Sequence, residues 1–395
     1  MDLAAQHLNR SMDSNQLIAL GTAHREATEP EQALACYGQA FIADPDSAAA
    51  FNNYGNTLRE LGRPDRAIPF LQHAILLDPG MVTARFNLSV CYLLLGNFPE
   101  GFQYYENRWQ FEHLAGTLPN YSQPRWSGQD LKGRTILVLG EQGHGDIIQF
   151  VRFVPDLIAR GARVHIKVTL GLIPLLSQCA VLQGSAVSSY EDPDIEFDYW
   201  TPMMSIPLIL GTTLETLERP VWYLNAPADK TRDWQQRLGP KYRLRIGFCW
   251  SGRKDSWINR HKSVPFETIL KMVQSNPDYE WVNLQIDASA DEEAALMAAG
   301  VKAYPSSIQS WADTAALISN MDVVIGMDTA VSHLSGALGR PTWIMLNQYA
   351  LDWRWLLDRD DSPWYSTAKL FRQPRRGDWD SVIQQISQYL TWFKA

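Results

Sequence analysis

The sequence predicts a helical repeat array at the N-terminus, followed by two α/β domains that each contain an open parallel sheet. Three observations predict this fold class. Small residues and prolines recur every 34 residues through the first part of the chain. Two strand–turn–helix–strand units follow, one opening near residue 134 and the other near residue 322. We therefore divide the chain into residues 1–115, 116–235 and 236–395.

The composition is that of a globular protein, with 46% hydrophobic and 20% charged residues among 395. The formal net charge of −8 argues against nucleic acid or an anionic membrane as the partner of the surface as a whole. No apolar run approaches the ~20 residues of a membrane span. The first residues form no secretory signal, and the four cysteines are too widely spaced for a zinc site or a disulfide framework. We therefore expect a cytoplasmic protein.

The repeats of the first domain are defined by matching positions 34 residues apart. These are Ala33, Ala67 and Gly101, Pro45 and Pro79, and Asn53 and Asn87. Pairs of short amphipathic helices fit between them, which gives three repeats, roughly 12–45, 46–79 and 80–113. This spacing resembles the tetratricopeptide repeat. The array is either a spacer or dimerisation element or a groove that binds a peptide or protein, and we favour the groove because solenoid concave faces usually bind partners.

A buried strand, Arg134–Leu139, opens the first sheet. An amphipathic helix, Ile147–Arg160, and a second strand, Arg163–Val168, follow it. The loop before the helix lies at the carboxyl end of the first strand, where open α/β sheets bind ligands. Gly143 and Gly145 lack a third glycine at the required spacing, so the loop is not a dinucleotide fingerprint.

The same loop supplies candidates for acid–base chemistry or acceptor contact. They are Glu141, Gln142, His144 and Asp146. Asp146 either caps the following helix or faces the cleft as a general base, because a carboxylate or imidazole can take a proton from a hydroxyl within hydrogen-bond reach. His144 is the second candidate for that role.

The strand Arg243–Trp250 opens the second sheet and ends at Ser251 and Gly252. A basic loop follows, with Arg253, Lys254, Arg260, His261 and Lys262. A run of charges is usually a solvated face. This loop, however, is expected at the carboxyl end of a strand, and Arg253 and Lys262 there can hold a diphosphate without a metal ion.

The centre of the second sheet is predicted over residues 322–346. Asp322–Ile325 is a buried strand, Ala330–Leu338 a short helix, and Thr342–Leu346 the next strand. The turn before this helix lies at the same edge of the sheet as the basic loop. Both elements therefore open into one cleft.

Two interpretations of that turn are open. Asp328 and Thr329 either only cap the helix, or they form an anion site together with Ala330, because helix N-terminal N–H groups favour phosphate. His333, one turn further on, is either a packed histidine or a ligand contact.

Four further segments complete the second domain. They are a strand at Glu280–Ile286, a helix at Trp311–Ile318, an aromatic loop that includes Asp352–Leu356 and Ser362–Tyr365, and a final helix at Asp378–Phe393. Trp353 and Arg354 of the loop either cover the cleft and stack on a base or sugar, or are packing residues.

Several of these motifs resemble one enzyme family. The segment from Asp328 to Pro341 is similar to the donor-binding motif of heptosyltransferase-type glycosyltransferases of family nine, with Ala330 in place of the usual glycine. The Gly145-Asp146 pair resembles that family's first helix, where the aspartate is the presumed catalytic base. The run from Trp126 to Phe150 looks like bacterial proteins that join tetratricopeptide repeats to such a module.

The resemblance implies a GT-B module of two Rossmann-like α/β domains, with the acceptor side first, the donor side second, and a last helix that often crosses back to the first sheet. It implies a metal-independent, inverting glycosyltransferase with no cofactor beyond a nucleotide-diphosphate sugar as co-substrate. The repeats suggest a protein acceptor. The alternatives are a repeat-based scaffold with an inactive module and a nucleotide-sugar epimerase. The sugar, the nucleotide and the oligomeric state are left open.

Overall fold

The computed structural model describes residues 12–111, 114, 116–217, 222–252 and 262–393. By contacts, the chain forms two compact units. The first lies within Met1–Pro119 and also contains Tyr349–Leu357, and the second is made of Asn120–Gln348 and Asp358–Ala395. No helix in the described ranges combines the length and the apolarity that a membrane crossing needs.

The first unit consists of three helix pairs. Their bounds are α1 Ser14–Glu26, α2 Pro30–Ala43, α3 Ala48–Glu60, α4 Pro64–Leu77, α5 Val82–Leu94 and α6 Phe98–Tyr105. Pro30 and Pro64 each begin the second helix of a pair, where a missing N–H costs no helical hydrogen bond. Ala33 and Ala67, which are 34 residues apart, are completely buried where helices pack. The predicted repeats are confirmed.

The segment Tyr349–Leu357 packs on these helices within the first unit. Its Tyr349 hydroxyl donates to Glu60 Oε2 at 2.8 Å, and the Ala350 N–H donates to the Glu60 carbonyl oxygen at 2.9 Å. Trp353 lies edge-on to Phe98 and Phe102, with ring centroids 6.4 and 5.8 Å away. A segment from late in the sequence therefore completes the repeat unit.

The first sheet of the second unit has four parallel strands in the order β3-β2-β1-β4. The strands are β1 Thr135–Leu139, β2 Arg163–Val168, β3 Ala186–Ser189 and β4 Tyr199–Pro202. The last four residues of β1 are buried, as expected of a central strand covered on both faces.

The second sheet has six parallel strands in the order β10-β9-β8-β5-β6-β7. The strands are β5 Arg245–Phe248, β6 Glu280–Asn283, β7 Lys302–Ala303, β8 Val323–Met327, β9 Thr342–Leu346 and β10 Ala368–Arg372. β8 and β5 are adjacent at the centre, so their carboxyl ends meet at one edge of the sheet. The predicted repeat array followed by two parallel α/β sheets is confirmed.

Helices connect the strands of both sheets. They are α7 His144–Phe150, α8 Val154–Ala159, α9 Ile173–Leu176, α10 Ile206–Ile209, α11 Leu214–Leu217, α12 Ala228–Leu238, α13 Phe266–Ser275, α14 Ala290–Ala298, α15 Trp311–Ile318, α16 Ala330–Ala337 and α17 Trp379–Trp392.

Three predicted elements differ from the structure. The helix over Ile147–Arg160 is broken by a 3₁₀ turn at Val151–Phe153, because Pro155 near the start of α8 has no N–H to continue the ladder. The strand from Glu280 ends at Asn283, whose Oδ1 accepts the Gln285 N–H at 2.8 Å and turns the chain.

The last helix is the third correction. The resemblance implies a last helix that often crosses back to the first sheet, whereas the buried side of α17 belongs to the core of the second sheet, where Trp379, Val382 and Ile386 pack with Ile246 and Phe248. The apolar face of α17 is therefore buried in the core of the second sheet.

Candidate functional site

Two helix N-termini meet at the candidate site. α7 follows β1 and α16 follows β8, so both begin at the carboxyl ends of buried strands. Gly145 of α7 lies so close to α16 that a Cβ there would be 3.3 Å from Ala330 Cα and 3.0 Å from His333 Cδ2. A side chain at this position would force its neighbours in α16 to shift by a few tenths of an ångström. The loop that we predicted for acid–base chemistry thus adjoins the turn that we predicted for anion binding.

Asp146 is the third residue of α7, and Gly143 is the residue before the helix. Oδ2 of Asp146 accepts the Gly143 N–H at 2.9 Å. This bond closes the helix end in the manner of a capping box and fixes the direction of the carboxylate. Asp146 therefore takes part in capping α7, but from the third position of the helix and not as the N-cap residue. Its assignment as a base stays a prediction.

His144 begins α7 and is exposed at the surface. Its ring stands edge-on to Trp311, with centroids 5.3 Å apart. Partial burial there lowers the pKa of His144 below its ordinary value. The imidazole is therefore neutral near pH 7, which is the form that accepts a proton.

The other two loop residues have different environments. Oε1 of Glu141 accepts the Met204 N–H at 2.9 Å, so this carboxylate is directed to the segment after β4. Gln142 is exposed and adopts a left-handed backbone conformation, with φ at 60°. Glu141 and Asp146 each accept one backbone N–H, and we rank Asp146 first because it lies in the helix that faces α16.

Asp328 is the centre of a charged cluster before α16. Its Oδ2 is 2.5 Å from Lys262 Nζ and its Oδ1 is 3.6 Å from His333 Nε2. The three side chains are at most 10% exposed. Burial opposes ionisation of Asp328, but Lys262 and His333 outweigh it and hold the pKa of this carboxyl well below its usual range.

The first turn of α16 is not closed by a side chain. Thr329 occupies the N-cap position, yet its hydroxyl caps none of the described helix amides and lies 3.4 Å from the Met327 carbonyl oxygen. Ala330 is the first helical residue. Because the first N–H groups of a helix have no partner within it, this turn can accept an anion.

The end of β5 contributes backbone groups to the same edge. The N–H groups of Trp250 and Ser251 donate to Gln285 Oε1 at 3.2 and 3.1 Å. The Ser251 hydroxyl is buried without a hydrogen-bond partner among the described residues, and Gly252 follows it. The predicted basic loop lies largely outside the described residues, which exclude Arg253, Lys254, Arg260 and His261.

Trp353 and Arg354 lie in the first unit. Trp353 is 4% exposed among repeat aromatics, and Arg354 stacks on its ring at 4.5 Å while pairing with Asp352 at 3.1 Å. Of the two interpretations that the sequence left open, packing describes these two side chains.

Sequence reasoning missed the roles of Tyr365 and Gln285. Tyr365 hydroxyl lies 2.8 Å from His333 Nδ1, and both residues are buried. The available signal was Gly336, one turn after His333, because a Cβ there would lie 2.5 Å from Tyr365 Cγ. Among the described ranges, no group of three His, Cys, Asp or Glu side chains is arranged to hold a metal ion.

A family model confirms the repeats. The tetratricopeptide repeat model matches residues 18–81 and 58–111. The chain is also 27% identical to protein FlbA of Caulobacter vibrioides, over 95% of this chain and 67% of that protein. A peroxisomal targeting signal receptor of Candida albicans is 29% identical over 24% of this chain and 16% of its own length.

Solved structures are similar to the part of the chain after the repeats. The ADP-heptose LPS heptosyltransferase II of E. coli covers 65% of this chain with 98% of its own, at 15% identity and a TM-score of 0.49. A family-nine glycosyl transferase of Veillonella parvula covers 68% with 92% of its own, at 11% identity and a TM-score of 0.49. Residues 18–111 are thus tetratricopeptide repeats, and the α/β unit after them has the two parallel sheets that the resemblance to family nine predicts.

Proposed function

We propose that this protein is a glycosyltransferase that moves a sugar from a nucleoside-diphosphate donor to a polypeptide acceptor, with inversion and without a metal ion. The observation that carries this proposal is the approach of α7 to α16 at Gly145 and Ala330. It sets a candidate base, Asp146, beside a helix N-terminus suited to a diphosphate. A transfer reaction needs both groups at one place.

On the donor side, the open turn of α16 supplies backbone N–H groups and the positive end of a helix dipole. Lys262 and His333 both flank the single carboxylate of Asp328. The contact with Asp328 holds the Lys262 ammonium beside the first turn of α16. The departing diphosphate is stabilised by these donors as its negative charge develops.

On the acceptor side, Asp146 is the first candidate base and His144 the second. Oδ2 of Asp146 accepts the Gly143 N–H, which keeps the carboxylate at the start of α7, and a carboxylate can take the proton of a hydroxyl within hydrogen-bond reach. His144 is neutral near pH 7 because its pKa is lowered by burial, so it is also competent as a base.

The polypeptide acceptor is proposed from the repeats. Amide side chains of α3 and α5 form a connected row, in which Asn87 Nδ2 donates to Asn52 Oδ1 at 3.1 Å and Asn52 Nδ2 donates to Asn53 Oδ1 at 3.1 Å. Amides both donate and accept, as a peptide main chain does. Asn53 and Asn87 are half-buried, so their remaining groups can meet a ligand.

The test measures nucleoside-diphosphate release by the full chain in EDTA, with a panel of nucleotide sugars and polypeptide acceptors. Asp146→Asn should lower kcat about 10²–10⁴-fold with little change in donor affinity, because it removes a base and leaves the helix. If Asp146→Asn keeps near-full kcat while His144→Ala is inactive, the histidine is the base.

Other results would replace the proposal. Donor binding with no transfer or hydrolysis under any condition would indicate a scaffold with an inactive module. Conversion of the donor without any acceptor would indicate an epimerase.

Acceptor recruitment has its own test. Asn53→Ala combined with Asn87→Ala should raise the KM for the polypeptide and leave the donor KM unchanged. Point variants are needed because deletion of residues 1–115 would expose Tyr349 and Trp353, which are now buried. An unchanged KM for the polypeptide would leave the repeats as a spacer or dimerisation element.

A further inference from the structure

An aromatic pair joins the two α/β domains beside the candidate site. Trp311 is the first residue of α15, which belongs to the second domain, and His144 is the first residue of α7, which belongs to the first. Their ring centroids are 5.3 Å apart, and the ring planes are inclined at 67°. Edge-to-face aromatic pairs of this geometry attract each other. A side chain of the second domain therefore contacts the acid–base loop of the first.

The His144 ring has few other restraints. The residues on either side of it, Gly143 and Gly145, have no side chains that could limit its rotamers. The residue is exposed, and none of the described residues forms a hydrogen bond or an ion pair with its imidazole. An exposed side chain without such contacts exchanges among several rotamers. The position of this imidazole therefore depends on the contact with Trp311.

The helix start that carries Trp311 is itself fixed. Oδ2 of Asp313, two residues further on, accepts the Gln309 N–H at 3.1 Å and the Ser310 hydroxyl at 3.0 Å. These bonds close the first turn of α15. The other oxygen, Oδ1, accepts from Lys230 Nζ at 2.6 Å, so this buried carboxylate also ties α15 to α12. The indole is thus presented to His144 from a rigid support.

We propose that Trp311 is a positioning residue that holds the imidazole of His144 at the acceptor side of the site. Gly145, which follows His144, is the residue at which α7 approaches Ala330 and the open turn of α16. A fixed imidazole beside this approach can accept a hydrogen bond from the acceptor hydroxyl or take its proton. This consequence rests on the proposed function, whereas the restraint on the ring does not.

Nuclear magnetic resonance of the imidazole tests the restraint directly. The full chain is labelled with ¹³C-histidine, and the signals of His144 are identified by their loss in His144→Ala. We expect nuclear Overhauser contacts between the imidazole and indole protons, and carbon relaxation typical of a rigid ring. Trp311→Leu keeps an apolar side chain but removes the aromatic ring, so it should give the imidazole the fast motion of an exposed side chain. Trp311→Phe should keep the imidazole largely rigid.

A matched control uses the same substitution at another tryptophan. Trp392, in α17, is 74% exposed. Trp392→Leu should leave both the relaxation of the His144 ring and the kinetics of transfer unchanged.

Kinetic measurements test what the restraint does. Trp311→Leu should lower kcat about three- to tenfold, the effect of losing one aromatic pair, with the Kd for a nucleoside diphosphate changed less than about twofold. Combined with His144→Ala, it should cause no further loss of kcat, because Trp311 acts through the histidine. Trp311→Phe should recover most of the wild-type kcat. A general packing role predicts instead that the two losses add.

The proposal is overturned if the imidazole of His144 is as rigid in Trp311→Leu as in the wild type. Additive losses of kcat, or a wild-type kcat in His144→Ala, would overturn it as well. Should Trp311→Leu fail to fold, the wild-type spectrum decides, since a mobile imidazole without contacts to the indole contradicts the proposal and a rigid one in contact supports it. If the chain transfers no sugar, the proposed function fails, and the relaxation of the His144 ring alone decides whether Trp311 holds it.

Discussion

The substitution Gly145→Ala tests whether the two helix N-termini are held in close contact. The added methyl would lie 3.0 Å from His333 Cδ2 and 3.3 Å from Ala330 Cα, closer than ordinary van der Waals contact. Overpacking of this kind costs about 1–3 kcal/mol. Replacing glycine inside a helix returns about 0.5–1 kcal/mol. We therefore expect a net loss of about 0.5–2 kcal/mol of stability.

The assay has a local and a global part. Urea unfolding reports the free energy, and native-state hydrogen exchange of the amides in α7 and α16 reports where stability is lost. Gly171→Ala is the matched control, because its Cβ would lie 3.6 Å from Trp311 Cδ1, an ordinary contact. Its stability should stay within about 0.5 kcal/mol of wild type.

We expect this loss of stability to be accompanied by faster amide hydrogen exchange in α7 and α16 and by weaker binding of the nucleotide-sugar donor. If Gly145→Ala is as stable as the control variant, with unchanged exchange in α16, the two helices do not depend on this approach. The N-termini of α7 and α16 would then not form one site.

Three further outcomes are expected. Tyr349→Phe should destabilise the first unit by about 1.5–3 kcal/mol in urea unfolding, because it takes a hydrogen bond from the buried carboxylate of Glu60; no loss would contradict the packing of that segment. The pKa of Asp328 is held below its unfolded value, so its stabilising contribution is present above about pH 4 and is lost as the pH falls further. Asp328→Asn should therefore make the free energy of unfolding fall less steeply with decreasing pH in that range. An unchanged pH dependence would contradict the depressed pKa. Burial raises the pKa of the Cys249 thiol to about 11, so iodoacetamide at pH 8 should modify half-buried Cys36 before Cys249; the reverse order, read by mass spectrometry, would contradict that burial.

Elements with a strong local pattern were predicted closely. The helix Trp311–Ile318 and the strands Arg163–Val168 and Thr342–Leu346 have the predicted bounds, because buried β-branched runs and helix stop signals are local properties. The 34-residue period likewise determined the helix pairs. The packing that this period predicts is also local, because each repeat contacts only the neighbouring repeats.

Features that depend on distant contacts were not predictable in this way. Tryptophan is a residue type that can stack on a ligand, and the sequence alone does not show that Trp353 packs against Phe98 and Phe102. Tyr365 is separated from His333 by 32 positions, and their hydrogen bond arises where a loop crosses α16. The sequence placed candidate groups at strand ends but could not show which of them touch.

Nucleoside-diphosphate binding at the N-terminus of α16 tests the proposed donor site most directly. Calorimetric titration of the full chain in EDTA compares wild type with Thr329→Asp and Thr329→Ser. Aspartate and serine are both good N-cap residues, so each variant should keep α16, but only aspartate adds a negative charge where the diphosphate is expected. We predict metal-independent binding that survives Thr329→Ser and weakens at least about tenfold in Thr329→Asp. Equal binding by both variants, or binding that requires a divalent ion, would contradict it.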